Sequence, residues 1–183
     1  MINRQQSEVT IILQDNPANI APVRVNSVAT LIAAGLGSGL SPVAPGTVGS
    51  TLAAVLLLPV LAADIASHWM ALTMATIIGV WAADRAGREW GVIDHPAIVI
   101  DEVVGLWLAV LIPLTLVPQA VADAWLLLLA LILFRLFDIA KPWPVNQLDR
   151  SLPGGWGVIF DDIAAGAMAG ICLTVVLIGV AAA

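Results

Sequence analysis

Gly154-Gly155-Trp156-Gly157-Val158-Ile159-Phe160-Asp161-Asp162 leads directly into an apolar stretch that continues to Ala181 without another charged side chain. A run of about 20 such residues is the length that crosses ~30 Å of hydrocarbon. The stretch therefore reads as a membrane-spanning helix at about 162–181 with two adjacent carboxylates at its mouth. Carboxylates beside lipid are costly unless a cation or a set of Lys and Arg side chains partners them. Two other segments repeat the arrangement: Asp101-Glu102 opens one apolar run, and Asp138 closes another just before Lys141-Pro142-Trp143-Pro144. The three places are expected to converge on one divalent-metal site.

The composition as a whole agrees with a membrane setting. Of the 183 residues, 60% are hydrophobic and 11% charged, with a mean hydropathy of +0.99; soluble domains lie near 45–50% apolar and about 25% charged. The expected class is all-α, a polytopic membrane helical bundle whose core is partly completed by lipid. A net charge of −6 offers no basic face for nucleic acid. Cys172 is the single cysteine, which excludes an internal disulfide and a multi-cysteine metal site, and it reads as a small core or lipid-facing residue.

Residues 1–26 are mixed and polar and read as a cytosolic tail, partly disordered, without a cleavable signal peptide. Residues 27–183 form one membrane-embedded domain. Within it, the apolar stretch at about 27–36 is too short to cross and is expected as an interfacial or half-inserted helix. Five spans are expected at about 47–63, 67–83, 102–117, 123–137 and 162–181, with Pro113 kinking the third. Five crossings place the Gly/Ser/Pro loop at 35–50, the polar connection at 84–101 and the Pro/Gly/Trp-rich connection at 138–161 on one face. All seven Lys and Arg residues lie on that face or at its edge, while the opposite turns carry only Asp64, His68 and Asp123. By the positive-inside rule the motif-bearing face is cytoplasmic.

Asp101, Glu102, Asp161 and Asp162 sit near expected helix N-termini, where free N–H groups favour negative charge. Capping uses one acid per helix, and two adjacent acids on each of two helices exceed that need. Hard oxygen donors of this kind suit Mg²⁺ or Mn²⁺. Arg135, Asp138 and Lys141 share a helical face if the helix continues to the proline. Arg135 reads equally as a structural ion-pair partner or a phosphate ligand; Lys141, held by the rigid segment after it, is the better phosphate candidate. Ser41, Thr47 and Ser50 belong to a glycine-rich segment before a helix, an arrangement that can cradle an anion. Trp143 and Trp156 read as interfacial anchors. Asp149-Arg150 reads as a surface pair or a support to the site, and His95 as a general acid, a metal ligand or a solvated loop residue. Asp101-x-x-x-Gly105 and Asp162-x-x-x-Gly166 both place a glycine one turn after an acid, a spacing that lets helices approach closely.

Taken together, Gly37-Ser-Gly-Leu-Ser-Pro-Val-Ala-Pro-Gly-Thr-Val-Gly-Ser50, Asp94-His95 with Asp101-Glu102, Phe134-Arg-Leu-Phe-Asp138 with Lys141-Pro-Trp-Pro144, Asp149-Arg150 and Gly154-Gly-x-Gly-x-x-x-Asp-Asp162 resemble the phosphatidylglycerophosphatase A family over about residues 35–170. The resemblance implies a multi-pass enzyme of the bacterial inner membrane with its site facing the cytoplasm. It would use Mg²⁺ to hydrolyse the membrane lipid phosphatidylglycerophosphate to phosphatidylglycerol and phosphate. Asp101, Glu102, Asp138, Asp161 and Asp162 stand at the family's acidic positions, where they are expected as metal ligands, and Lys141 at its lysine. Asp101, Glu102, Asp138, Lys141 and Asp162 are the expected catalytic set; Ser41, Thr47, Ser50, Arg135, Lys141 and Arg150 are the expected phosphate contacts. Two other classes are weighed: a small cation transporter with intramembrane acids, and a metal-dependent lipid phosphotransferase, whose Asp-Gly-x₂-Ala-Arg signature this chain lacks.

Overall fold

The computed structural model describes residues 23–117, 119–147 and 152–182. Residues 1–22 of the tail expected at 1–26, and the Asp149-Arg150 pair, fall outside them. Among the described residues every regular element is helical. A short helix α1 (Val28–Ala33) is followed by a 3₁₀ segment at Gly35–Leu40 and then by α2 (Pro45–Leu57), which a 3₁₀ turn extends over Leu58–Val60. The chain continues through α3 (Ile65–Trp90), α4 (Ile100–Leu116), α5 (Ala124–Ala140) and α6 (Gly155–Ala181).

Each of the five long apolar runs is thus a helix, with ends that differ from the sequence expectation in two places that matter. The 84–100 segment was expected as a polar connection, yet α3 continues to Trp90. Asp84–Arg88 and Arg85–Glu89 ion pairs, each 2.9 Å and four residues apart, carry the helix beyond its apolar part, and Gly91 at φ 78° stops it. At the other place α6 begins at Gly155, about two turns earlier than the apolar pattern indicates, because Val158, Ile159 and the acids after them are buried among protein, not lipid. Asp161 and Asp162 therefore lie in its second turn. The N-terminal capping role open to them in the sequence is removed.

α3 and α6 are long and apolar enough to cross a membrane, with mean hydropathies of 1.4 and 2.4 over their best windows. α4 and α5, at 17 residues each, measure about 25 Å. Large apolar side chains such as Met70, Trp125, Ile132, Val175 and Val180 point outward from the bundle, as they do in a protein solvated by lipid.

α4 and α6 form the central pair; α3 packs against both from one side, α5 against both from the other, and α2 fills the angle between α4 and α5. One buried cluster, including Ala53, Leu106, Phe134, Ala165 and Ala169, ties α2, α4, α5 and α6 together. A second, of Ala33, Ala82, Ala83, Ala86 and Trp90, seats α1 on the end of α3. At the α4–α6 crossing Gly105 and Gly166 face each other: a Cβ on Gly166 would overlap the Gly105 backbone, and one on Gly105 would meet the Asp162 carbonyl and the Phe134 ring. The weak repeat in the sequence is a backbone-to-backbone contact, and it brings the acids of α4 within reach of those of α6.

Candidate active site

Alternating helix directions bring the start of α2, the α3–α4 loop, the start of α4, the end of α5 and the first turns of α6 to one end of the bundle. They enclose a cavity of about 380 Å³ lined by Gly46, Thr47, Asp94, His95, Asp101, Glu102, Arg135, Asp138, Lys141, Asp161 and Asp162, among others. Four of these acids come in adjacent pairs. In each pair the first carboxylate accepts from the amide of the second, Glu102 N to Asp101 Oδ1 and Asp162 N to Asp161 Oδ1, both at 3.0 Å. That bond ties down the leading acid and leaves the second side chain to face the neighbouring helix.

The acids divide by their partners. Arg135 Nη1 bridges Glu102 Oε1 at 3.1 Å and Asp138 Oδ2 at 2.6 Å. Lys141 Nζ contacts Asp161 Oδ2 at 2.8 Å. Lys141 reaches inward because it is the C-cap of α5 in the left-handed region, φ 41° and ψ 54°, where the chain turns off the helix axis. Asp101, Glu102 and Asp162 each offer a carboxylate oxygen, and the three oxygens lie within 4.8 Å of one another. Glu102 and Asp162 are only 8% and 3% exposed, and Glu102 Oε2 and Asp162 Oδ2 have no hydrogen-bond partner. Buried carboxylate oxygens left unsatisfied in this way are costly. Three hard oxygen donors around one point fit a small divalent cation that keeps positions for water and phosphate.

The α2 wall is different in character. Ala44, at φ 46°, gives α2 no side-chain cap, and Pro45 occupies the first turn. Val48 N donates to Ala44 O at 3.1 Å, so the amides of Gly46 and Thr47 remain as orphan donors of the first turn. A Cβ on Gly46 would overlap Glu102 Oε1 and press on Arg135, so a side chain there would have to displace the Glu102 carboxylate from its ion pair. Of the phosphate contacts expected from sequence, Thr47, Arg135 and Lys141 line the cavity, and Ser41 and Ser50 are not among its lining residues. Ser41 Oγ donates to Val43 O and Ser50 Oγ to Gly46 O, both at 2.8 Å. Arg150 lies outside the described residues.

Sequence reasoning passed over Gly46, whose only signal was a Pro-Gly pair at a helix start, and left His95 open. The His95 ring is buried against Trp90, with centroids 5.4 Å apart, and burial lowers its pKa from 6.5 against the opposing pull of Asp94.

Comparison with known proteins places the chain in a family. The chain is 38% identical to phosphatidylglycerophosphatase A of Escherichia coli over 139 residues, 74% of this chain and 76% of the relative. It is also 38% identical to the Haemophilus influenzae protein of that name over 138 residues, covering 74% and 80%. A Bacteroides thetaiotaomicron protein named "Putative phosphatidylinositol-3-phosphatase" is 39% identical over 150 residues, covering 79% and 91%. No solved structure matches the chain. The family model for phosphatidylglycerophosphatase A matches residues 31–177, from α1 to the last turns of α6 and across every wall of the cavity. The chain belongs to the phosphatidylglycerophosphatase A family.

Proposed function

We propose that this chain is an Mg²⁺-dependent lipid phosphatase that hydrolyses phosphatidylglycerophosphate to phosphatidylglycerol and phosphate at the cytosolic face of the bacterial inner membrane, with α2 to α6 as five spans. The observation that carries this reading is the set of three converging carboxylates, with two orphaned oxygens, facing Lys141 and the uncapped start of α2 in one cavity. Acids gathered at one end of the bundle suit surface chemistry on a lipid headgroup better than an ion path, since no Asp or Glu stands midway along a described helix between the cavity and the opposite turns.

Asp101, Glu102 and Asp162 would hold the cation, with Arg135 fixing Glu102 through Oε1 so that Oε2 remains available. When bound, Mg²⁺ supplies Lewis-acid neutralisation of charge on the phosphoryl oxygens. Lys141 Nζ donates to a further phosphoryl oxygen, and the Gly46 and Thr47 amides donate from the positive end of α2. The acyl chains remain in lipid against the outward apolar faces, which include Leu136 and, at the cavity, Ile139. The same chemistry accommodates any lipid phosphomonoester, and the glycerophosphate headgroup is favoured by the names of two of the three relatives.

The test is phosphate release by the purified full-length chain in detergent from phosphatidylglycerophosphate and, in parallel, phosphatidylinositol 3-phosphate, with Mg²⁺ or with EDTA. Release from the first lipid that EDTA abolishes and Mg²⁺ restores is the expected result. Folded, Mg²⁺-supplied protein that releases nothing from it removes the proposal, and preference for the second lipid reassigns the substrate. Lys141→Met is expected to lower kcat/KM by roughly 10- to 100-fold, the equivalent of one hydrogen bond to a charged group at about 1.5–3 kcal/mol. An unchanged value would place Lys141 outside the phosphate contacts.

A further inference from the structure

His95 lies in the α3–α4 loop and lines the cavity while only 8% exposed. Its Nδ1 accepts the amide proton of Ala97 at 3.0 Å. The loop is also closed by Ile98 N donating to His95 O at 2.8 Å, so the ring is held by backbone on one side and by the edge of Trp90 on the other. An amide N–H can be accepted only by an unprotonated ring nitrogen, so the proton of the neutral ring is on Nε2. No partner for Nε2 is found among the described residues.

That single bond separates the three roles that the sequence left open for His95. A metal ligand through Nε2 would need the lone pair there and the proton on Nδ1, which would set two N–H groups against each other at 3.0 Å. An imidazolium acting as general acid meets the same conflict. A solvated loop residue would not be buried. The role that remains is a fixed neutral donor at the cavity wall.

We propose that His95 contacts the substrate as a neutral imidazole, donating its Nε2–H to an oxygen of the phosphate held in the cavity while Nδ1 stays engaged with the Ala97 amide. This rests on the reading of the cavity as a phosphate site. The donor is oriented before the ligand arrives, so it spends no rotamer freedom on binding, and in a cavity walled by protein its bond to an anionic oxygen is a strong one. A neutral donor also leaves the charge balance with the neighbouring acids unchanged.

Nuclear magnetic resonance of the full chain in detergent micelles, with ¹⁵N-histidine, tests this directly, since His68 is the only other histidine. The expected spectrum has a pyridine-like Nδ1 and a protonated Nε2 for His95. The Nε2–H proton should move downfield and saturate as inorganic phosphate is added with Mg²⁺. An Nδ1–H tautomer, or an Nε2–H that phosphate does not move, overturns the proposal. Kinetics give a second arm. His95→Asn keeps an acceptor for the Ala97 amide but withdraws the donor, and kcat/KM should fall roughly 10- to 100-fold with little change in Tm. His95→Gln restores an N–H near the Nε2 position and should recover part of the loss. If both variants lose activity equally, in step with Tm, His95 is structural only and the proposal fails. A wild-type Nε2–H that responds to phosphate in a protein that hydrolyses no lipid would retain the His95 contact and remove the proposed reaction.

Discussion

Asp162→Asn is expected to lower Mg²⁺-dependent kcat/KM by at least about 10³-fold, because the charge stabilisation an active-site cation supplies is worth several kcal/mol and each 1.36 kcal/mol is tenfold. Asn keeps the shape of the side chain and one carbonyl oxygen but removes the charge. Asp162 is 3% exposed with Oδ2 unpartnered, and its ligand oxygen lies within 4.8 Å of those of Asp101 and Glu102. In the absence of metal these three acids repel one another, so the variant without Mg²⁺ should be at least as stable as wild type. With Mg²⁺ the order reverses. Wild type gains stability by mass action as the ion binds the folded state, and the variant does not. Thermal unfolding in detergent across a Mg²⁺ titration reads this without any turnover. A variant that still gains Tm with Mg²⁺ as wild type does would remove Asp162 from the cation site.

The second large effect is expected away from the acids. Gly166→Val places a branched side chain where even a Cβ would overlap the Gly105 backbone, and neither helix can yield without separating. Overpacking of this kind costs typically 1–3 kcal/mol and more against rigid backbone. Because α4 and α6 each contribute acids to the cavity, parting them lengthens the distances from Asp162 to Asp101 and Glu102. The expected outcome is a fall in Tm together with loss of the Mg²⁺-induced gain in Tm. Gly179→Val is the control on the same helix, since a Cβ there meets nothing within 4 Å, and it should leave both readings near wild type. If Gly166→Val behaved like Gly179→Val, close helix approach would not be what assembles the site.

Much of the site is legible in the amino-acid sequence, for a definite reason. Charged residues are scarce in this chain, so each acid at the edge of an apolar run stands out, Asp101, Glu102, Asp138 and the Asp161-Asp162 pair among them, while Lys141 is marked by the rigid Pro142-Trp143-Pro144 segment after it. Their division of labour was not legible. Arg135 and Lys141 were both phosphate candidates, and whether a cation faces a carboxylate or a ligand depends on the rotation of two helices about their axes. Here Arg135 is drawn onto Glu102 and Asp138, and Lys141 onto Asp161. Ser41 and Ser50 looked like anion ligands by type, but their hydroxyls satisfy nearby carbonyls, an outcome set by local backbone geometry that residue type does not encode.

The amino-acid sequence alone determined the all-helical class, the five apolar helices, the single end at which the polar motifs collect and the identity of the acids. These follow from composition and from the lengths of uninterrupted apolar runs, which act locally along the chain. It left the ends of α3 and α6 wrong, because ion pairs continue one helix and burial among protein begins the other early. Which three carboxylates meet was decided by tertiary structure. Asp101 and Asp162 are brought together by the Gly105–Gly166 contact, and Gly46 is confined by the position of Glu102. Each is a distance between elements, and such distances are set by how helices pack.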